Sequence, residues 1–237
     1  MSTVSLALVD QYWGKFLGCA SELIRNTPAP YLLTTATQPG LWAFTCGGNW
    51  VVATPTDSGD ICREQIGACF PPNRLPSCAQ LQPLLHMGVV SQLYGPALIF
   101  LHHPPTHPPV IDPAVRPLTG SDQDNVAAFV AAAGALPWTL EEATGWLTIL
   151  GLFQEQALVA TCGVRLWGDL LAEIYVDTHP AYRRRGFGKA VTTAALHWIH
   201  TTTPYYAESV VELSNQPSLG LMQSLGFEPY GYLVTSA

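Results

Sequence analysis

The sequence predicts a protein of the α/β class, in the α+β sense: a mixed, mainly antiparallel sheet flanked by helices. Three observations carry that expectation. Apolar residues recur at helical spacing in some stretches and in short strand-like runs in others, along the whole chain. Turn-forming residues punctuate the strand-like runs. Hydrophobic residues make up 48% of the 237 positions and charged residues 11%, so the chain can bury a large core and is neither disordered nor a coiled coil.

Taken in order, residues 3–25 carry Leu6, Leu8, Val9, Trp13, Phe16, Leu17 and Ile24 at helical spacing, which predicts a first helix ending before Asn26-Thr27-Pro28. The runs Leu41 to Phe44 and Trp50 to Ala53, separated by Gly47-Gly48-Asn49, predict an antiparallel hairpin. Asp60 to Cys69 and Ser77 to Met87 read as helices broken apart by Pro71-Pro72-Asn73, and Ala97 to Leu101 as a buried strand. Residues 1–101 are therefore expected to form an N-terminal α/β domain. Residues 102–114 hold five prolines in the twelve positions from His102 to Pro113, the composition of a linker. Its histidines, His102, His103 and His107, have no Cys or carboxylate cluster beside them, so no metal site is expected there or elsewhere.

Residues 115–237 read as a second domain. Arg116 to Thr119 predicts a short strand and Asp122 to Ala133 a helix. Leu147 to Phe153, Ala157 to Leu166 and Leu170 to Val176 predict a three-stranded meander. Gly188 to His200 follows as a helix, Ser209 to Leu213 as a strand, Asn215 to Leu225 as a helix and Tyr230 to Val234 as a closing strand.

Composition excludes several functions. A net charge of -7 argues against broad affinity for nucleic acid, which needs Lys and Arg spread over a wide face. No stretch of about 18 uncharged apolar residues offers a bilayer-spanning helix, despite a mean hydropathy of +0.20. The N-terminal stretch lacks a basic region and carries Asp10, so a cytoplasmic location is expected. The six cysteines, Cys19, Cys46, Cys62, Cys69, Cys78 and Cys162, show no CxxC pair and are expected to be reduced core thiols. High apolar content favours a buried subunit or domain interface and leaves a homodimer open.

Against this acidic background, four of the ten Lys and Arg residues fall within seven positions: Arg183, Arg184, Arg185 and Lys189, around Gly186-Phe187-Gly188. The cluster follows a strand and opens a helix, where unpaired N–H groups and the helix dipole favour an anion. Cations placed there are unfavourable alone, so a multiply charged phosphate is the expected ligand. The glycines let it approach the backbone. A P-loop is disfavoured, since Arg183 stands where its first glycine would be and Ala190 follows the lysine. A dinucleotide fingerprint is disfavoured too, because Val191 occupies its third glycine position in a neighbourhood that reads as antiparallel rather than βαβ.

The run Thr178-His179-Pro180-Ala181-Tyr182-Arg183-Arg184-Arg185-Gly186-Phe187-Gly188 resembles the acyl-CoA signature of the GNAT superfamily of N-acyltransferases, whose core is Arg or Gln, two residues, Gly, one residue, then Gly or Ala. Downstream, Asn215, Leu221 and Leu225-Gly226-Phe227 are similar to that superfamily's second motif. The resemblance covers about 115–237 and implies a GNAT-type sheet. It leaves the first hundred residues as a degenerate second copy or a substrate-binding extension. It also implies that the chain binds acetyl-CoA and moves its acetyl group to a primary amine of a small molecule or peptide. Arg183, Arg184, Arg185, Gly186, Phe187, Gly188 and Lys189 would then hold the pyrophosphate, Val176, Asp177 and Thr178 would pair with the pantetheine arm, and Asn215 would bond that arm from another side.

The chemistry needs a base for the amine and a donor for the leaving thiolate. Glu173, flanked by Leu170, Leu171, Ala172 and Ile174, is the candidate base, with a cross-strand ion pair as the alternative for the same residue. The superfamily commonly has Tyr seven residues after the motif asparagine; here that position is Met222. Tyr205, Tyr206, Tyr230, Tyr232 or water would have to donate instead, and loss of the donor raises a second reading, a non-catalytic acyl-CoA-binding regulator. The apolar composition also raises an enzyme for longer acyl chains. Trp138, Trp146 and Trp167 either line an amine pocket or pack a core. His179 reads as a hydrogen-bonded loop residue, and His197 and His200 as facing solvent or the next element.

Overall fold

In the computed structural model, residues 5–27, 29–35, 40–55, 63–86, 90–140 and 145–236 are described. Their elements run α1 (Leu6–Leu17), α2 (Leu23–Asn26), β1 (Tyr31–Thr35), β2 (Trp42–Thr45), β3 (Val51–Pro55), α3 (Arg63–Cys69), α4 (Cys78–His86) and β4 (Leu93–His102). Then follow β5 (Val115–Pro117), α5 (Gln123–Ala133), β6 (Trp146–Gln154), β7 (Ala157–Trp167), β8 (Leu171–Thr178), α6 (Phe187–Thr202), β9 (Tyr206–Glu212), α7 (Gln216–Ser224) and β10 (Phe227–Ser236). Parts of the expected helices, residues 3, 4, 60–62 and 87, and Cys62 with them, lie outside the described residues.

The chain divides into two compact units, each discontinuous in sequence. The first holds residues 5–100, 210–219 and 229–236, and the second holds 101–209 and 220–228. In the first unit the strand order is β1–β3–β2–β10, with β1 parallel to β3 and β2 antiparallel to both neighbours. Alternation along β2 sends Phe44 to one face, where it stacks on Trp13 of α1 at 4.8 Å, and Ala43 to the other. On that second face Ala43 joins Trp50, Val52, Ile66, Phe70, Leu81 and Leu84 in one buried cluster beneath α3 and α4. The single helix expected over 3–25 is two: Gly18 adopts φ 83° and returns its N–H to Gly14 O at 2.9 Å, a left-handed cap that ends α1. Asp10 on α1 accepts from Arg25 Nε at 2.6 Å, from Arg25 Nη2 at 2.9 Å and from the Tyr230 hydroxyl at 2.7 Å.

The second unit has strand order β5–β6–β7–β8–β9. β5 through β8 are antiparallel, as the meander predicts, with β7 and β8 paired along Ala160 to Trp167. β8 and β9 are parallel, joined by the crossover helix α6, so the neighbourhood of the glycine loop is βαβ and the antiparallel expectation is corrected. A parallel pair needs a crossover, and the 16 residues of α6 supply it. Arg116 donates from Nη1 and Nη2 to Asp122 at 2.8 and 2.6 Å, clamping β5 to the head of α5 and holding the Asp122 carboxyl well below the usual range.

His102, at the end of β4, is buried rather than solvated. Its Nε2 bonds Leu225 O at 3.1 Å and its Nδ1 bonds His200 Nε2 at 2.8 Å. Because a carbonyl only accepts, His102 carries its proton on Nε2, and His200 donates to the bare Nδ1. Of the described cysteines, Cys69 and Cys162 are buried, Cys19 and Cys46 half-buried, and Cys78 exposed, which corrects the expectation of uniformly buried thiols. Among the described residues no helix is long and apolar enough to cross a membrane, and no group of three His, Cys, Asp or Glu is placed to hold a metal ion.

Burial, then the neighbouring His102, His103 and His197, bring the His200 pKa down to about 4 from an ordinary 6.5, and burial lowers His102 as well. The native state therefore refuses protons that the unfolded chain accepts. The stability tied to this pair is complete above about pH 6.5 and is lost as pH falls through about 4. Urea unfolding of wild type should show that acid-side loss, and His200→Gln should shrink it; an identical profile in the variant would show that the pair does not contribute.

Candidate functional site

Two features of β8 build the site. The first is its register. β7 accompanies β8 along its whole length, from Trp167↔Leu171 to Ala160↔Thr178, whereas β9 pairs with it only from Leu171↔Tyr206 to Glu173↔Glu208. From Ile174 to Thr178, roughly 13 Å of strand, β8 pairs on one side alone among the described residues. Backbone groups on an open strand edge can take an extended ligand as an added strand. Val176, Asp177 and Thr178 lie on that stretch.

The second feature is where β8 leads. After a single helical turn over Pro180–Tyr182, Arg184 at φ 61° and Gly186 at φ 85° swing the chain into α6. Gly186 is the N-cap and has no side chain to cap with, and the first intrahelical bond runs from Ala190 N to Gly186 O at 2.9 Å. The N–H groups of Phe187, Gly188 and Lys189 precede that bond and point out of the helix end, where the dipole is positive. A Cβ on Gly188 would stand 2.9 Å from Thr178 Oγ1, so glycine there lets the helix start seat tightly on the strand end.

Three of the cations around this end have neutral hydrogen-bond or ring partners, and Arg183 also interacts with the charge of Asp177. Arg183 Nε donates to Thr178 O at 3.2 Å, Lys189 Nζ to Ser224 O at 3.0 Å, and the Arg185 guanidinium sits 5.3 Å from the centre of the Tyr182 ring. Arg183, Arg184, Arg185 and Lys189 are all exposed. His179 Nδ1 accepts from Ala181 N at 3.2 Å, the loop role expected of it. A diphosphate fits the donor set: converging backbone N–H groups, a positive helix end, exposed cations and no carboxylate in the segment from Arg183 to Lys189.

Residues alternate across β8. Val176 and Thr178 face α6, since both lie within 4 Å of the Cβ position on Gly188. Glu173 and Tyr175 face the other way. There the Tyr175 hydroxyl donates to Glu173 Oε2 at 2.5 Å, and Trp146 meets the Tyr175 ring edge-on at 5.2 Å. Trp146 and Trp138 cover Gly163, the β7 partner of Tyr175; a Cβ there would stand 2.6 Å from Trp146 and 3.1 Å from Trp138. Glu173 is 8% exposed. Burial pushes its carboxyl above the ordinary range, against the opposing pulls of the Tyr175 hydroxyl and the Arg165 charge. Glu208, 1% exposed, is driven well above that range by burial and then by Glu173, and its Oε1 has no hydrogen-bond partner among the described residues. Burial also raises Asp177, with Arg183 pulling it back.

Glu173, Val176 to Thr178 and Arg183 to Lys189 thus all belong to the second unit, strung along one strand and the helix it feeds. Asn215 belongs to the first unit, where its Oδ1 accepts from Ser218 N at 3.3 Å and caps α7. Met222 is buried at 1% exposure. Tyr230, one of the expected donors, gives its hydroxyl to Asp10, and burial raises its pKa beyond use as an acid. Sequence reading missed Tyr175 and Glu208. The Glu-x-Tyr alternation on a strand signals the first; only the β8–β9 register reveals the second.

The site is thus an open strand edge running into a helix N-terminus ringed by exposed cations, with a buried carboxyl on the same strand. Residues 113–227 match the Acetyltransferase (GNAT) family. The chain carries a GNAT acetyltransferase domain over those residues. Among solved structures, one assigned to the GNAT family from Novosphingobium aromaticivorans is similar at 24% identity and a TM-score of 0.52, over 62% of this chain and 65% of that one, just under two thirds of its length. A GNAT-family acetyltransferase from Colwellia psychrerythraea is similar at 15% identity and a TM-score of 0.52, over 99% of this chain and 97% of that one. No curated protein matches the sequence.

Folding raises the Glu208 pKa above its ordinary 4.5, so the native state keeps a proton that the unfolded chain gives up. Stability tied to this group is complete below 4.5 and is lost as pH rises through the folded value. Glu208→Gln should therefore raise Tm relative to wild type more at pH 8 than at pH 4; an equal offset at both would refute the neutral acid.

Proposed function

We propose that this protein is an acetyl-CoA-dependent N-acetyltransferase acting on a primary amine of a small molecule or peptide. The observation that carries the reading is the end of β8: an edge open from Ile174 to Thr178 that runs straight into the N-terminus of α6. Acetyl-CoA, when bound, supplies an acyl thioester already activated toward an amine. The N–H groups of Phe187, Gly188 and Lys189 hold the diphosphate, with Arg183, Arg184, Arg185 and Lys189 supplying charge around it. The edge at Val176, Asp177 and Thr178 aligns the pantetheine arm. Glu173 is the base, since burial keeps its carboxyl above the ordinary range and nearer the pH at which an amine must lose its proton. The same face carries Trp146 and Tyr175, whose rings suit an amine-bearing group.

Calorimetry with acetyl-CoA tests the cradle. Wild type should bind, and the double variant Arg183→Ala, Arg185→Ala should lose at least tenfold in affinity; undiminished binding would move the diphosphate elsewhere. An amine panel tests the reaction. Glu173→Gln should keep acetyl-CoA affinity while kcat falls by about 10²–10⁴, the usual worth of a general base. Binding without turnover on any amine would favour the non-catalytic regulator.

A further inference from the structure

We infer that Tyr175 is a second catalytic residue of this site: its hydroxyl is the atom that meets the acceptor amine, and it hands the amine's proton to Glu173 Oε2. The inference rests on the acetyltransferase reading above and assigns the contact that reading leaves open.

Three observations carry it. Glu173 is 8% exposed, whereas Tyr175 is half-buried, so the phenol is the more accessible of the two. Glu173 Oε2 already accepts from the Tyr175 hydroxyl at 2.5 Å, which places that hydroxyl over the carboxylate oxygen a proton would have to reach. Tyr175 also lies two residues further than Glu173 along β8 toward Thr178 and the phosphate-binding loop, on the stretch whose edge is open. A phenol that donates its one proton to a carboxylate has two lone pairs to accept with; Arg165 addresses the Tyr175 oxygen as well, which leaves one for an incoming N–H. Trp146, edge-on at 5.2 Å, fixes the ring.

The step balances without a further reactant. The amine attacks as the free base, its ammonium proton already lost to water; its nitrogen forms the bond to the acyl carbon, and the carbon–sulfur bond breaks with the electron pair on sulfur. The nitrogen's proton moves to the Tyr175 oxygen as Tyr175's own proton moves to Oε2. Tyr175 is neutral before and after, Glu173 ends protonated, and that proton and the one the thiolate needs are exchanged with water. The groups facing Glu173 are Tyr175 on β8, Arg165 opposite it on β7 and Glu208 opposite it on β9. The hydroxyl and Arg165 favour the carboxylate and burial opposes it, while burial and then Glu173 push the Glu208 carboxyl well above its ordinary range. Removing the hydroxyl should therefore raise the Glu173 pKa further.

The test is Tyr175→Phe, which keeps the ring against Trp146 and deletes one oxygen. In ligand-free protein with ¹³C-labelled glutamate, the Glu173 carboxyl should titrate at higher pH in the variant than in wild type. With acetyl-CoA and an accepted amine, kcat should fall about 100-fold, with the amine KM within about threefold. The acid limb of kcat/KM should move up in pH. The proton inventory in mixed light and heavy water should be bowed in wild type, where two protons move, and linear in the variant. The outcomes separate cleanly. Wild type inactive on every amine overturns the acetyltransferase reading and the relay with it. Wild type active with Glu173→Gln equally active overturns the base. Glu173→Gln inactive but Tyr175→Phe within threefold of wild type overturns the relay alone, as does a Glu173 titration that Tyr175→Phe leaves unmoved.

Discussion

The parallel pairing of β8 with β9 stops at Glu173↔Glu208, and the rest of the site depends on where it stops. Had it continued to Thr178, the backbone groups along that edge would be bonded within the sheet, leaving an extended ligand nothing to add to. Ending it early leaves the edge open over the residues that precede the helix-cap loop. The last paired rung also sets two buried carboxyls side by side on neighbouring strands. Like charges opposite each other in a sheet are unfavourable, and burial sharpens the conflict. The resolution is one proton retained on Glu208, the more deeply buried of the two, which leaves Glu173 free to change its charge.

The loop that follows solves a different conflict. Four cations near the positive end of a helix repel one another and the dipole. Carboxylate partners would relieve that and cancel the site. Among the described residues their hydrogen-bond and ring partners are neutral, the carbonyls of Thr178 and Ser224 and the ring of Tyr182, while Asp177 adds a charge interaction with Arg183. Neutral partners orient a cation without neutralising it, so Arg185 and Lys189 keep their charge for an anion. Lys189 does a second thing, since Ser224 O lies in the last turn of α7, where carbonyls lack intrahelical donors.

What was legible in the sequence was whatever local composition could encode. The loop stood out because its cations and glycines contrast with an acidic chain, and the meander of β6, β7 and β8 because its apolar runs are long and cleanly interrupted. Strand direction is not a local property: nothing between Gly186 and Tyr206 says that α6 returns the chain parallel to β8, and the antiparallel reading failed there. β1 went unread because its Thr34 and Thr35 dilute the apolar run and its parallel partner β3 lies well downstream. His102 read as part of a proline-stiffened strip, and its burial depends on His200, 98 residues away. Glu208 sits between Ala207 and Ser209 with no local cue; only the register of β9 against β8 gives it a role.

Met222 shows how such a site can lose one group and keep its chemistry. A methionine buried in α7 cannot donate a proton, and Tyr230 is committed to Asp10. Donation to sulfur is the less demanding half of the reaction, because a thiol with a pKa near 8.5 yields a thiolate that leaves readily and takes its proton from water. Removal of the amine's proton is the demanding half, because the nitrogen sheds it only as it bonds to carbon and a positioned base must take it. In the proposed reaction that half falls to the groups gathered on the face of β8 away from α6: a buried carboxyl, a phenol bonded to it and the Glu208 carboxyl alongside. On the proposed acetyltransferase reading, methionine at position 222 is compatible with turnover, because that reading places the controlling proton transfer on the strand and not on the helix.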